Sequence, residues 1–209
     1  MRSFLWILLI GLMQADANPL LLEQLPEGKL PANLKVIKVG PGALGKVRVT
    51  TENVPHPTNG VTEKQRVLEI TGGDATASHY TLVLLNQPVY SNLSISTRFR
   101  IVGGEGVRAA GVIFRMQPNH KDYYLLAVKP EAKEAFWTVF ENGLPAKGFK
   151  YDEDQFVSPK DGWQSIKLQA EENTTRWTLN HRQDFITYNP ETTPDYHRGM
   201  VGFWVRSDS

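Results

Sequence analysis

The sequence predicts an all-β protein, a two-sheet antiparallel jelly-roll sandwich, and three observations carry that prediction. From Leu34 onward, short β-branched and aromatic runs recur between Gly, Pro and Asn/Asp clusters, the rhythm of strands and turns in sandwiches and barrels. No stretch of useful length shows the apolar period of an amphipathic helix. The 209 residues include no cysteine, so a domain of this size must be held by sheet packing rather than by disulfides or thiolate metal sites.

In chain order, the first element is not expected to belong to the fold. Arg2 is a positive lead, Phe4 to Met13 (FLWILLIGLM) is an apolar core too short to span a bilayer, and Ala15-Asp16-Ala17 is an A-x-A cleavage signal. Residues 1–17 are therefore expected to be a secretory signal peptide, and residues 18–209 an exported single domain, periplasmic or extracellular. Removing Arg2 together with Asp16 leaves the net charge at +1, which directs no field at nucleic acid or anionic lipid. No later apolar stretch is long enough for stable membrane insertion. Residues 18–33 (NPLLLEQLPEGKLPAN), broken by three prolines, read as a lead-in segment.

Twelve strand candidates follow: LKVIKV, KVRVTT, RVLEIT, YTLVLL, LSISTRFRI, AGVIFRM, YYLLAV, AFWTVF, QSIKLQA, RWTLN, FITY and MVGFWVR. Period-two alternation assigns faces. Ile95, Thr97 and Phe99 lie opposite Ser96, Arg98 and Arg100, and Ile166 and Leu168 lie opposite Ser165, Lys167 and Gln169, so these two strands have one wet face. Val112-Ile113-Phe114 and Tyr123 to Val128 are apolar on both faces, as in central strands covered on each side or in a strand whose outer face lines a groove. Asn142-Gly143 predicts a tight hairpin after AFWTVF, since both residues tolerate positive φ, and Asp161-Gly162 predicts a turn before Trp163.

Several chemistries lack their residues. Gly40-Pro41-Gly42-Ala43-Leu44-Gly45 fits G-x-G-x-x-G, but the alternating Lys46-Val47-Arg48-Val49-Thr50 follows where a phosphate-binding helix would have to begin. The five histidines have no metalloprotease spacing, and no G-x-S-x-G elbow exists. No Glu is followed two residues later by Asp, as the Glu-x-Asp-x-x-Glu arrangement of family-16 glycosidases requires. Asp152 and Asp154, in the acidic run Tyr151 to Gln155, are the candidates for a structural calcium; no other cofactor is indicated.

What remains is aromatic and guanidinium surface, the chemistry with which glycan binders stack sugar rings and hold hydroxyls. Tyr123-Tyr124, Phe136-Trp137 and Phe203-Trp204 are adjacent pairs on strands, so one ring of each must leave the first core, either under another layer or on a groove floor. Arg115 is expected opposite Phe114, where it would offer a bidentate donor. The expected glycan-binding residues, taken to lie on one sheet face, are Arg115, Tyr124, Trp137, Trp204 and Arg206.

From Tyr80 to Ser209 the chain resembles the concanavalin A-like, laminin-G-like jelly-roll domains of secreted bacterial proteins, described as family-16 glycoside-hydrolase-like or 3-keto-disaccharide hydrolase-like. The resemblance rests on Gly111-Val112-Ile113-Phe114-Arg115, Asp122-Tyr123-Tyr124, Glu141-Asn142-Gly143, Gly162-Trp163 and Gly199-Met200-Val201-Gly202-Phe203-Trp204 with Ser207-Asp208-Ser209. Such domains run on after the Asp-Ser step into a last strand with a Phe-Asp pair. This sequence stops at Ser209, so the resemblance implies a shortened last strand or another segment over the exposed edge. For function it implies a non-catalytic glycan-binding module first. The second expectation is a glycoside hydrolase acting on a (3-keto-)disaccharide or polysaccharide, with Asp122, Glu141 and Asp208 as its candidate acids, and the third is a structural or protein-interaction domain of the cell envelope.

Overall fold

The computed structural model describes residues 4–8, 26–41, 44–56, 59–71, 80–86, 89–103, 107–151, 159, 162–180, 182–188 and 196–207. Among them are fourteen strands and no helix: β1 (Phe4–Leu8), β2 (Leu34–Val39), β3 (Lys46–Pro55), β4 (Thr62–Thr71), β5 (Tyr80–Leu85), β6 (Leu93–Ile101), β7 (Arg108–Met116), β8 (Tyr123–Lys129), β9 (Glu134–Glu141), β10 (Leu144–Tyr151), β11 (Gln164–Glu171), β12 (Thr174–Leu179), β13 (Arg182–Tyr188) and β14 (Met200–Ser207). They form two seven-stranded sheets. The first has the order β13-β12-β11-β6-β1-β4-β3 and the second β10-β9-β8-β7-β14-β5-β2.

The first sheet keeps one wet face, as its alternation predicts. Along β6, Leu93, Ile95, Thr97 and Phe99 are buried while Ser94, Ser96, Arg98 and Arg100 are partly exposed, and along β11, Ile166 and Leu168 are buried while Lys167 and Gln169 are exposed. The second sheet is buried on both faces through β7 and β8. Its inner face, with Val112, Phe114, Tyr124, Leu126, Trp137 and Phe203, packs on Ile95, Phe99, Ile166, Leu168 and Trp177 of the first sheet. Its outer face gathers Leu82, Leu84, Ile113, Tyr123, Leu125 and Trp204. Each adjacent aromatic pair is thus split between faces, Tyr124, Trp137 and Phe203 inward, Tyr123, Phe136 and Trp204 outward.

Turn chemistry falls where the sequence puts it. Asn142 and Gly143 have φ of 54° and 81°, the double positive φ of a two-residue hairpin, with Leu144 opposite Glu141. Gly162, with φ of 74°, donates its N–H to the Pro159 carbonyl at 3.0 Å. After the glycine-rich stretch β3 starts at Lys46, so that motif opens a strand. Two strands escape the sequence reading. In β10, Pro145 and Gly148 interrupt the pattern and the pairing shifts between Pro145 and Lys147. The other is β1, inside the segment expected to be a signal peptide, which pairs antiparallel with both β4 and β6.

The core is expected to respond as a close-packed interior. Trp137→Ala should cost about 3–5 kcal/mol in denaturant unfolding, whereas Lys167→Ala on the wet face should change stability by less than about 0.5 kcal/mol.

Candidate functional site

At one end of the sandwich the β7–β8 turn, the β9–β10 turn and the segment entering β14 meet. The β7–β8 turn is closed by Gln117 N donating to the Asp122 carbonyl at 2.8 Å and His120 N donating to the Gln117 carbonyl at 2.9 Å. Asn119 Oδ1 accepts from the Lys121 and Asp122 amides at 2.9 and 3.2 Å, the side-chain turn that Asn favours. Asp122 then ties two turns together. Its Oδ2 accepts from Asn119 Nδ2 at 2.5 Å and its Oδ1 from the Asn142 amide at 2.6 Å, while Gly143 N donates to the Lys121 carbonyl at 3.0 Å.

The segment entering β14 joins through a bulge. Between the pairs Met200–Met116 and Gly202–Ile113, β7 carries two residues against one on β14, and Arg115 there has φ of 53°. Gly199 approaches so closely that a Cβ would lie 2.3 Å from the Arg115 carbonyl carbon, so no side chain fits. Gln117 Nε2 donates to the carbonyls of Arg115 and Arg198 at 3.0 and 2.9 Å. Arg115 itself is fully buried and donates from Nη2 to the Ser91 carbonyl at 3.2 Å.

Over this frame lies a ladder of rings. Phe114 stacks on Tyr124 at 5.2 Å, Tyr124 meets Trp137 at 5.6 Å, and Tyr196 stands edge-on to Tyr124 at 5.8 Å. Tyr196, partly exposed, ends the ladder. Its hydroxyl is pushed up to about 12, first by burial and then by the negative charges of Asp122 and Glu141, with Tyr124 adding to them. Two carboxylates therefore act on one phenol. Beside them, burial and the charge of Lys35 lower the His120 imidazole.

The placement of the sequence-predicted residues differs from that of a single open groove. Asp122, Glu141, Arg115, Tyr124 and Trp137 converge on this end, but Tyr124, Trp137 and Arg115 are 0% exposed; both faces of the sheet are covered, so those three support the end from beneath and do not face solvent. Arg115 is not simply opposite Phe114, because the bulge breaks the alternation there. Trp204 is also buried and lies on the other face of the sheet, 5.1 Å from Tyr80 and 6.2 Å from Phe136. Arg206 covers Tyr80 at 5.7 Å and Lys129 covers Phe136 at 5.4 Å, a separate aromatic and cationic cluster. Asp208, Asp152 and Asp154 lie outside the described residues. Among the described residues no group of three or more His, Asp or Glu side chains is placed to hold a metal ion, and no helix is long and apolar enough to cross a membrane. On the wet face of the first sheet a groove of about 370 Å³ runs over Ser96, Lys167, Gln169, Arg176 and Thr178.

Sequence reasoning missed Tyr196. Its partners Asp122, Tyr124 and Glu141 come from distant parts of the chain, and the Asp195-Tyr196-His197 triplet carries no motif of its own.

No family model and no curated protein sequence matches the chain. Among solved structures, the carbohydrate-binding module CBM66 from Bacillus subtilis aligns with a TM-score of 0.53 at 18% identity, over 75% of this chain and 86% of that one. The fold is the concanavalin A-like jelly roll. A Bacillus licheniformis beta-glucanase aligns with a TM-score of 0.49 at 7% identity, over 87% of this chain and 83% of that one. In this jelly roll the candidate site lies on turns projecting from paired strands, so rigid elements present the loop side chains.

The Tyr196 hydroxyl offers a titration test. Its folded value lies above the free phenol value of about 10, so its contribution to stability is complete below about pH 10 and is lost as the pH climbs through about 12. Glu141→Gln should bring the Tyr196 midpoint down, read as the ultraviolet phenolate difference between the protein and its Tyr196→Phe variant.

Proposed function

We propose that the protein is an exported, non-catalytic carbohydrate-binding jelly-roll module that takes a sugar at the loop end of the sandwich. The observation that carries this reading is a partly exposed ring, Tyr196, ending a buried aromatic ladder at the end of the sandwich where Asp122 staples the β7–β8 and β9–β10 turns, within the field of Asp122 and Glu141. A sugar presents an apolar face and a rim of hydroxyl donors. A phenol ring offers the first a surface, and carboxylate oxygens accept from the second. The structural neighbour named as a carbohydrate-binding module supports the class of ligand. Both oxygens of Asp122 already accept from the loops, which favours an orienting acceptor over a nucleophile.

Glycoside hydrolysis is the second reading, favoured by two acids, Asp122 and Glu141, on adjoining turns at one end of the sandwich. A retaining mechanism needs its carboxyl groups about 5–5.5 Å apart and an inverting one about 6.5–9.5 Å. The burial of Tyr124, Trp137 and Trp204 favours a third, a structural or protein-interaction domain of the cell envelope.

Calorimetric titration of the purified protein against plant, algal and bacterial polysaccharides and their oligosaccharides separates the three. Binding with Kd at or below about 1 mM is expected, weakened about tenfold or more by Tyr196→Ala and by Glu141→Ala, with no release of reducing ends. Sugar release abolished by Glu141→Gln would establish the hydrolase, and no binding across the set would leave the interaction domain.

A further inference from the structure

The strand β1 fills a position that the rest of the first sheet cannot fill. It lies between β4 and β6, antiparallel to both, with Ile7 opposite Leu68 and Phe99, Leu5 opposite Ile70 and Ile101, and Trp6 opposite Glu69 and Arg100. Every other described strand is already hydrogen-bonded within a sheet. The lead-in is engaged elsewhere, because Gly28 N donates to the Val49 carbonyl and Val49 N to the Lys29 carbonyl on β3. Yet Phe4–Leu8 lies within the segment that reads as an export signal, and its removal would leave two facing strand edges unpaired inside a sheet, each a template for another strand.

The walls specify what fits between them. Leu68, Ile70 and Phe99 are buried in the core, so residues sharing their rows must be apolar. The middle row is polar. Glu69 is 1% exposed, with Oε2 accepting from Arg48 Nε at 2.6 Å; among the described residues its buried Oε1 has no hydrogen-bond partner and the buried Arg100 Nε has no acceptor. A carboxylate oxygen and a guanidinium N–H on either side of one position call for a residue that both donates and accepts, and a primary amide does so with separate atoms, its NH2 for one wall and its carbonyl for the other.

We propose that the β4–β6 slot is a strand-acceptor site: once residues 1–17 are removed, it takes an extended strand of a partner polypeptide, antiparallel to both walls. That strand carries apolar residues opposite Leu68/Phe99 and Ile70/Ile101 and an Asn or Gln opposite Glu69/Arg100. Main-chain bonds to both walls supply affinity and the three rows supply register.

The proposal rests on the reading of residues 1–17 as an export signal, and the intact mass of the exported protein tests that reading separately, with Asn18 expected as the first residue. For the slot, chain 18–209 is titrated with peptides of the sequence Ser3 to Leu9 flanked by solubilising lysines, followed by fluorescence anisotropy and by hydrogen exchange of the β4 and β6 amides. The peptide should bind and protect those amides. Trp6→Gln in the peptide should tighten binding about tenfold, and Ile7→Lys should weaken it about a hundredfold or more. Should chain 18–209 not fold alone, recovery of native near-ultraviolet circular dichroism on adding the peptide is the readout, and the full chain carrying Ile7→Lys, loaded with the same peptide, is the second variant. A chain 18–209 whose β4 and β6 amides are protected without peptide and which binds none overturns the proposal, as do binding indifferent to Ile7→Lys and failure of the peptide either to bind or to restore folding.

Discussion

Opposite Val201, β7 places two residues where β14 places one, and the left-handed backbone of Arg115 absorbs the difference. The position of the loop end depends on that kink. Phe114 stays on the inner face beneath Tyr124, Met116 is turned to the outer face, and the chain leaves β7 aimed so that Gln117 can close on both Asp122 and Arg198. A non-glycine residue at positive φ carries a cost of order 1–3 kcal/mol and persists only where its surroundings over-determine it. Here the surroundings are the close backbone of Gly199, the paired strands on either side, and a buried guanidinium anchored on Ser91.

The fold was legible because alternation is a local property. The two apolar faces of β7 and β8 could be read from Val112-Ile113-Phe114 and Tyr123 to Val128, and the division of each aromatic pair between faces followed from adjacency. Whether the outward ring of a pair would meet solvent or cover was not legible, because it depends on what packs over the sheet. Trp204 shows the consequence: rightly placed opposite Phe203, it is nevertheless buried. β10 hid because its role is set by pairing with β9 across the Asn142-Gly143 turn and not by its own pattern.

The candidate site was half legible for a similar reason. Asp122 and Glu141 stand out beside turn residues, where side chains outside the core carry chemistry. Their electrostatic action on Tyr196 follows from the β9–β10 turn being stapled to the β7–β8 turn by the Asn142 amide, and from the β14 entry being held by Gln117. These links join residues far apart in sequence. The same wiring leaves this end ordered in advance: Asp122 accepts from the Asn142 amide and the Asn119 side chain, and the Tyr196 ring rests on a ladder fixed in the core.

While residues 1–17 are still attached, the central position of β1 has a mechanical consequence. The first sheet consists of a long hairpin, β3–β4, and a four-stranded raft, β6 with β11 to β13, and five residues of β1 are the hydrogen-bonded seam between them. Other ties across that seam are side-chain ones, Arg98 Nη1 donating to the Pro55 carbonyl at 2.5 Å and Arg100 lying 3.8 Å from Glu52. A pull on the amino end would be resisted by one short strand, whose partners in the chain lie as far off as Ile101 from Leu5. Because such distant pairings are slow to form, this seam would be the last part of the sandwich to close and the first to part.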